Sequence, residues 1–167
     1  MKSLSSLTAS IPASVTLAVN DKANALKAAG EDIIALAGGD PDFATPDHIT
    51  AAAFAAIENG ATHYPGPMKG IFPLLEAIAA KMERENNVTV NPKTDVVVTP
   101  GGKWALNLAL SAIVNPGDEV IYLEPVWVSY PPMIMLAGGT PVPVSLPSED
   151  NFRITADLLR EKVTPKT

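Results

Sequence analysis

The chain has 167 residues, of which 47% are hydrophobic and 18% charged, enough apolar material for a sizeable core and a length that suits one ordinary domain. Eighteen acidic residues against twelve basic ones leave a net charge of −6, the wrong sign for a binder of nucleic acid or anionic membrane, and no Lys/Arg run offsets it. Cysteine is absent, which excludes disulfides and thiolate metal sites, and His48 and His63 lack the spacing of a helical ligand pair, so no metal is expected.

The N-terminal stretch "MKSLSSLTASIPAS" has no apolar segment of secretory length, and no later stretch is long enough to cross a bilayer. A cytoplasmic location is the expectation. A first helix is predicted from about Ser14 to Ala29, stopped by Gly30 in the left-handed C-terminal position. "DIIALAGGDPDFATPDHI" then reads as a short apolar run, a glycine pair and a proline-punctuated loop. Thr45, Pro46 and Asp47 predict a helix start with Thr45 as cap. Ile49, Ala52, Ala53, Ala56 and Ile57 form its apolar face, and Asn59 and Gly60 end it. After the loop "ATHYPGPMKG", Ile71, Leu74, Leu75, Ile78, Ala79 and Met82 predict a third amphipathic helix, with Lys81, Arg84 and Glu85 facing water.

From residue 95 the pattern changes. "DVVVT" is a β-branched run without alternation, "GGKWALNLALSAIV" a helix with little polar surface, "NPGD" a turn and "EVIYL" another short apolar run. This order predicts a βαβ unit with strands covered on both faces, in a parallel sheet. Pro141 to Leu146 alternates, as a half-exposed strand nearer a sheet edge would. A last helix is predicted with Thr155 as cap and with Leu158, Leu159 and Val163 on its apolar side. No repeat, low-complexity tract or linker divides the chain.

The glycines of "TPGGKWALNLAL", residues 99–110, stand where a strand feeds a helix. Backbone N–H groups can converge on an anion there, and the helix dipole favours negative charge. The stretch is not a P-loop, because Val97 and Trp104 occupy the required glycine and Ser/Thr positions, and G-x-G-x-x-G is absent. The residues alone leave two readings open, a tight strand-to-helix turn and an anion site.

Four blocks, "LAGGDPDFATPDHI", "ATHYPGPMKGIFPLLEAIAAKM", "VVVTPGGKWAL" and "PGDEVIYLEPVWVSYPPMIMLAGGTPV", follow in the order and approximate spacing that resembles the first part of class I aminotransferases of the aspartate aminotransferase type. The likeness runs from about Ser14 to Thr167. It implies an α/β fold of the pyridoxal-phosphate-dependent fold type I, here an incomplete three-layer α/β/α large domain with an N-terminal helical arm. Residues 1–45 would be the arm and a small-domain segment, and residues 46–167 the N-terminal part of the large cofactor-binding domain. The implied activity is amino-group transfer between an amino acid, aspartate-like or aromatic, and a 2-oxo acid, with pyridoxal 5′-phosphate as cofactor and a homodimer as the working form.

Residue by residue, the resemblance makes Gly101, Gly102 and Lys103 the cup for the cofactor phosphate, held largely through main-chain N–H groups. Gly39, in "GGDPDF", matches the position whose backbone meets the substrate carboxylate, where a Cβ would block the approach. Trp127, in "EPVWVSY", matches the aromatic against the cofactor ring, whose indole N–H can reach a substrate carboxylate. Tyr130 is given only a supporting packing role. Tyr64 matches the tyrosine that reaches the phosphate of the neighbouring subunit's cofactor, although its loop is one residue longer before Gly70-Ile71 than the commonest family spelling. His48 and His63 match no family role.

A transaminase also needs a lysine amine for the Schiff base, an acid on the pyridine nitrogen and an arginine for the α-carboxylate. None of the lysines here stands in the family's Schiff-base motif, and Arg84, Arg153 and Arg160 have no substrate match, so no catalytic residue is assigned. The expectation is an N-terminal segment that is not competent alone. The alternatives are a non-catalytic module binding a phosphorylated ligand and a truncated chain that assembles with a complete subunit.

Overall fold

The computed structural model describes residues 5–36, 38–39, 41–66 and 68–167. In chain order the elements are α1 (Ser6–Ser10), α2 (Val15–Ala28), α3 (Asp47–Glu58), α4 (Phe72–Asn86), α5 (Gly102–Ile113), β1 (Glu119–Glu124), α6 (Tyr130–Leu136), β2 (Thr140–Ser145), a 3-10 turn (Ser148–Asp150) and α7 (Ala156–Arg160). The chain falls into two compact units, Met1–Gly39 with Gly101–Thr167, and Asp40–Pro100.

In the first unit, α2 begins where predicted. The Ser14 hydroxyl accepts the Leu17 N–H at 3.4 Å, and Gly30 follows the helix with φ +87°. β1 and β2 are parallel, in register from Glu119 opposite Thr140 to Glu124 opposite Ser145, and α6 provides the crossover that parallel strands require. Among the described residues of this unit, Met133 and Ile134 of α6 and Val144 of β2 are the buried side chains. Val142 and Leu146 are half-buried while Pro143 and Ser145 are exposed, so the alternation read in the sequence is the alternation of the strand. The "NPGD" turn closes through the Asp118 carboxylate, which accepts the Asn115 N–H at 2.7 Å. Thr155 caps α7 by accepting the Leu158 N–H at 3.4 Å.

In the second unit, α3 and α4 occupy the predicted segments. Pro46, with ψ 139°, is the residue flanking α3, and no side chain caps it. Thr45 therefore lies one position too early to do the capping expected of it. The apolar face of α3 is uncovered, with Ile49 and Ile57 more than half exposed. α4 buries Leu75 and closes on Asn87 in the left-handed conformation.

The run from Val96 to Val98 is not a strand. Among the described residues the only ladder joins β1 to β2, so this run has no neighbour to complete a strand. The Val98 N–H goes instead to the Lys69 carbonyl at 2.8 Å. The βαβ unit expected from 95 to 123 is accordingly replaced by β1-α6-β2, and α6 and the short α1 were not foreseen.

Candidate functional site

α5 starts on a glycine for a reason visible in its backbone. Gly101 flanks the helix with φ +83° and ψ 166°, a region that is essentially closed to residues with a Cβ. No side chain caps the helix, so its first-turn N–H groups, which have no intrahelical acceptor, point out of the N-terminus with the positive end of the dipole. A Cβ built on Gly102 meets nothing within 4 Å. Nothing packed in this unit accounts for a glycine at 102, whereas an anion approaching the backbone would.

Lys103 and Trp127 come together. The Lys103 ammonium stands 5.0 Å from the centroid of the Trp127 ring, within cation–π range. Tyr130 meets the same ring edge-on, with centroids 5.6 Å apart and planes at 82°, and its N–H bonds to the Trp127 carbonyl at 3.0 Å. Trp127 stays 44% exposed, so the ring is braced without being enclosed. It sits just past the carboxyl end of β1, the end where ligands bind in open α/β sheets.

A cleft of about 690 Å³ opens beside this pair, bounded by residues 11–17, Lys103, the 126–129 turn and one side of α6. Its walls include the apolar Ile11, Pro12, Val126, Met133 and Leu136 and the polar Ser14, Thr16 and Ser129, with Lys103 as their cation. The part played by residues 11–17 carries no sequence signal, because an apolar wall looks like any amphipathic segment. A polar knot ties the same strand ends: the Glu124 carboxylate accepts from the Tyr122 hydroxyl at 3.3 Å and from the Ser145 hydroxyl at 3.2 Å. Burial, reinforced by the Glu124 charge, pushes the Tyr122 hydroxyl above its usual range.

Gly39 belongs to the first unit, but a Cβ placed on it would meet nothing within 4 Å, and its neighbour Asp40 is outside the described residues. Tyr64 lies in the other unit, in the loop after α3, with its side chain wholly exposed at 101%. His48 in the first turn of α3 and His63 beside Tyr64 are both exposed. Among the described residues no cluster of His, Cys, Asp or Glu could hold a metal ion, and no helix is long and apolar enough to cross a membrane.

Residues 31–167 match the family described as Aminotransferase class I and II. The chain is 49% identical over all its 167 residues to the aspartate/prephenate aminotransferase of Cereibacter sphaeroides, covering 41% of that protein. It is 45% identical to the aspartate/prephenate aminotransferase of Thermus thermophilus, covering 43% of it. Among solved structures, aspartate aminotransferase from Thermus thermophilus with maleate superposes with a TM-score of 0.94 over 100% of this chain and 43% of that one, at 45% identity. Aspartate aminotransferase from Thermotoga maritima gives 0.90 at 39% identity. The chain thus spans about two fifths of the length of the curated relatives it matches.

Proposed function

The chain belongs to the class I and II aminotransferase family, with the α/β fold of fold type I, and on that footing we propose that the protein carrying it transfers an amino group between an amino acid and a 2-oxo acid with pyridoxal 5′-phosphate. Aspartate is the amino donor this reading favours, since the relatives are aspartate/prephenate aminotransferases. Residues 1–45 are assigned to the arm and small domain and residues 46–167 to the large domain.

The observation that carries the cofactor reading is the glycine-led start of α5 with Lys103 set against the Trp127 ring. The N–H groups of Gly102 and its neighbours would hold the phosphate, with the Lys103 ammonium adding positive charge close by. Trp127 would lie along the cofactor ring and offer its indole N–H to a substrate carboxylate, with Tyr130 keeping the indole from turning. Gly39 would meet the substrate carboxylate through its main chain. Tyr64 would donate its hydroxyl to the phosphate held by the neighbouring subunit of a homodimer. When bound, pyridoxal phosphate supplies the electron sink that makes the α-hydrogen of the amino acid removable.

The test is an amino-transfer assay on the full-length protein with aspartate and 2-oxoglutarate, with and without added pyridoxal phosphate. Cofactor-dependent formation of glutamate is the expected result. Tight binding of the cofactor with no turnover of aspartate or any other amino acid would favour a non-catalytic phosphate-binding module instead.

A further inference from the structure

Tyr64 has a fully exposed side chain, so nothing among the described residues orients its hydroxyl by packing. The backbone on either side must do so. On the N-terminal side the chain is fixed by the end of α3, where the Ala61 N–H bonds to the Ala56 carbonyl at 2.9 Å. On the C-terminal side the fixing falls to Lys69, a half-buried residue in the stretch that the family spelling has one residue shorter.

Lys69 acts through both its ends. Its ammonium donates to the carbonyls of Lys93 and Thr94, each at 3.2 Å, and its own carbonyl accepts the Val98 N–H at 2.8 Å. The next residue, Gly70, has φ +127°, and a Cβ there would fall 2.9 Å from Val98 Cγ2 and 3.2 Å from Val98 Cβ, so the Gly70 backbone lies directly against the Val98 side chain. Two residues further on, the Lys93 ammonium lies 5.6 Å from the Phe72 ring centroid. The segment 93–98 is thereby held against 69–72 along its length.

We propose that Lys69 is a positioning residue, which clasps the Tyr64 loop to the 93–98 segment and so sets where the Tyr64 hydroxyl is presented. The proposal rests on the reading of Tyr64 as a donor to the cofactor phosphate. An ammonium shared between two carbonyls is a charge-assisted link, stronger than a neutral one. A cation with several N–H donors can serve both carbonyls at once.

The test uses the full-length holoenzyme. Lys69→Met should raise the pyridoxal phosphate concentration needed for half-saturation about three- to tenfold and leave kcat at saturating cofactor unchanged, and Lys69→Arg should restore most of the loss. In a Tyr64→Phe background Lys69→Met should cost nothing further, because residues acting through one contact are not additive. An additive loss, or no loss from Lys69→Met alone, overturns the proposal. Amide exchange of the 93–99 peptide supplies a reading that needs no variant. The Val98 N–H should be protected in the wild type, and rapid exchange there would dissolve the clasp itself. If Tyr64→Phe leaves cofactor retention intact, the Tyr64 assignment fails and the role of Lys69 with it. If Tyr64→Phe weakens retention and Lys69→Met does not, only the role of Lys69 fails.

Discussion

Gly101 and Gly102 are adjacent and chemically identical, yet their backbones ask for glycine on different grounds. At Gly101, with φ +83° and ψ 166°, an alanine would be strained by about 1–3 kcal/mol, so Gly101→Ala should lower thermal stability as well as cofactor affinity. Gly102 is the first helical residue and a Cβ there faces open space. Gly102→Ala should therefore leave the cofactor-free protein unchanged or up to about 1 kcal/mol more stable while weakening pyridoxal phosphate binding, because the added methyl stands where the phosphate would approach. Thermal melts with and without cofactor separate the two, and equal behaviour of both variants would remove the case for a phosphate at 102. Trp127→Phe keeps the ring but drops the indole N–H, so amino-acid binding should weaken by about 0.5–3 kcal/mol with the cofactor retained. Unchanged kinetics with a lowered melting temperature would make Trp127 a packing residue only.

At the scale of elements, the turn before the Val96 run shows how a carboxylate sets local order. The Asp95 carboxylate accepts the Thr94 hydroxyl at 2.6 Å and the Asn91 N–H at 2.9 Å. These bonds, the Thr94 one first, with the Lys69 charge nearby, hold its pKa below the usual carboxylate value. A depressed folded-state pKa contributes stability that is present above the unfolded value and lost as pH falls through the folded one. Protection of the Asn91 amide, corrected for intrinsic exchange, should thus decline on acidification below the ordinary carboxylate range, and Asp95→Asn should flatten that decline. The helices from α2 to α5 were legible because caps, glycine stops and apolar spacing are local signals: Ser14 and Gly30, Asn59 and Gly60, and the Leu75 face of α4 all stand where the pattern put them. The Val96 run was misread because a strand is a property of two segments, and its residue types speak for only one. α6 escaped notice for a related reason, since "YPPMIML" is short, starts with two prolines in its first turn and has no length over which a helical period can be recognised. The candidate site residues were assigned through the family's four blocks. The Lys103–Trp127 contact and the cleft wall at 11–17 were not legible, because both join segments far apart in sequence.

At the scale of the whole chain, many large apolar side chains among the described residues are open to solvent. Of the large apolar side chains, Phe54 and Ile57 on α3, Trp104 and Ile113 on α5, and Val97 all remain more than half exposed. Surface of that kind drives association, so the 167 residues expressed alone should elute above monomer size and bind a hydrophobic dye. None of their lysines should take up a stoichiometric, site-specific pyridoxyl label after borohydride treatment, and a single fully labelled lysine would mean that the motif reading had missed the anchoring amine. The proposed homodimer supplies the last test, since Tyr64 is exposed in its own chain and is proposed to serve the neighbour's phosphate. A phosphate hydrogen bond is charge-assisted, so Tyr64→Phe in the full-length protein should weaken cofactor retention without dissociating the dimer. In a mixed dimer, let one subunit carry Tyr64→Phe and let the other lack its cofactor-anchoring lysine. If Tyr64 serves across the interface, the single lysine-bearing site lies in the Tyr64→Phe subunit and receives a wild-type tyrosine from its neighbour, so it should retain cofactor as the unmodified enzyme does. Loss of cofactor from that site would instead assign Tyr64 to its own subunit, and the lengthened loop between Tyr64 and Gly70 would be the structural reason for the difference.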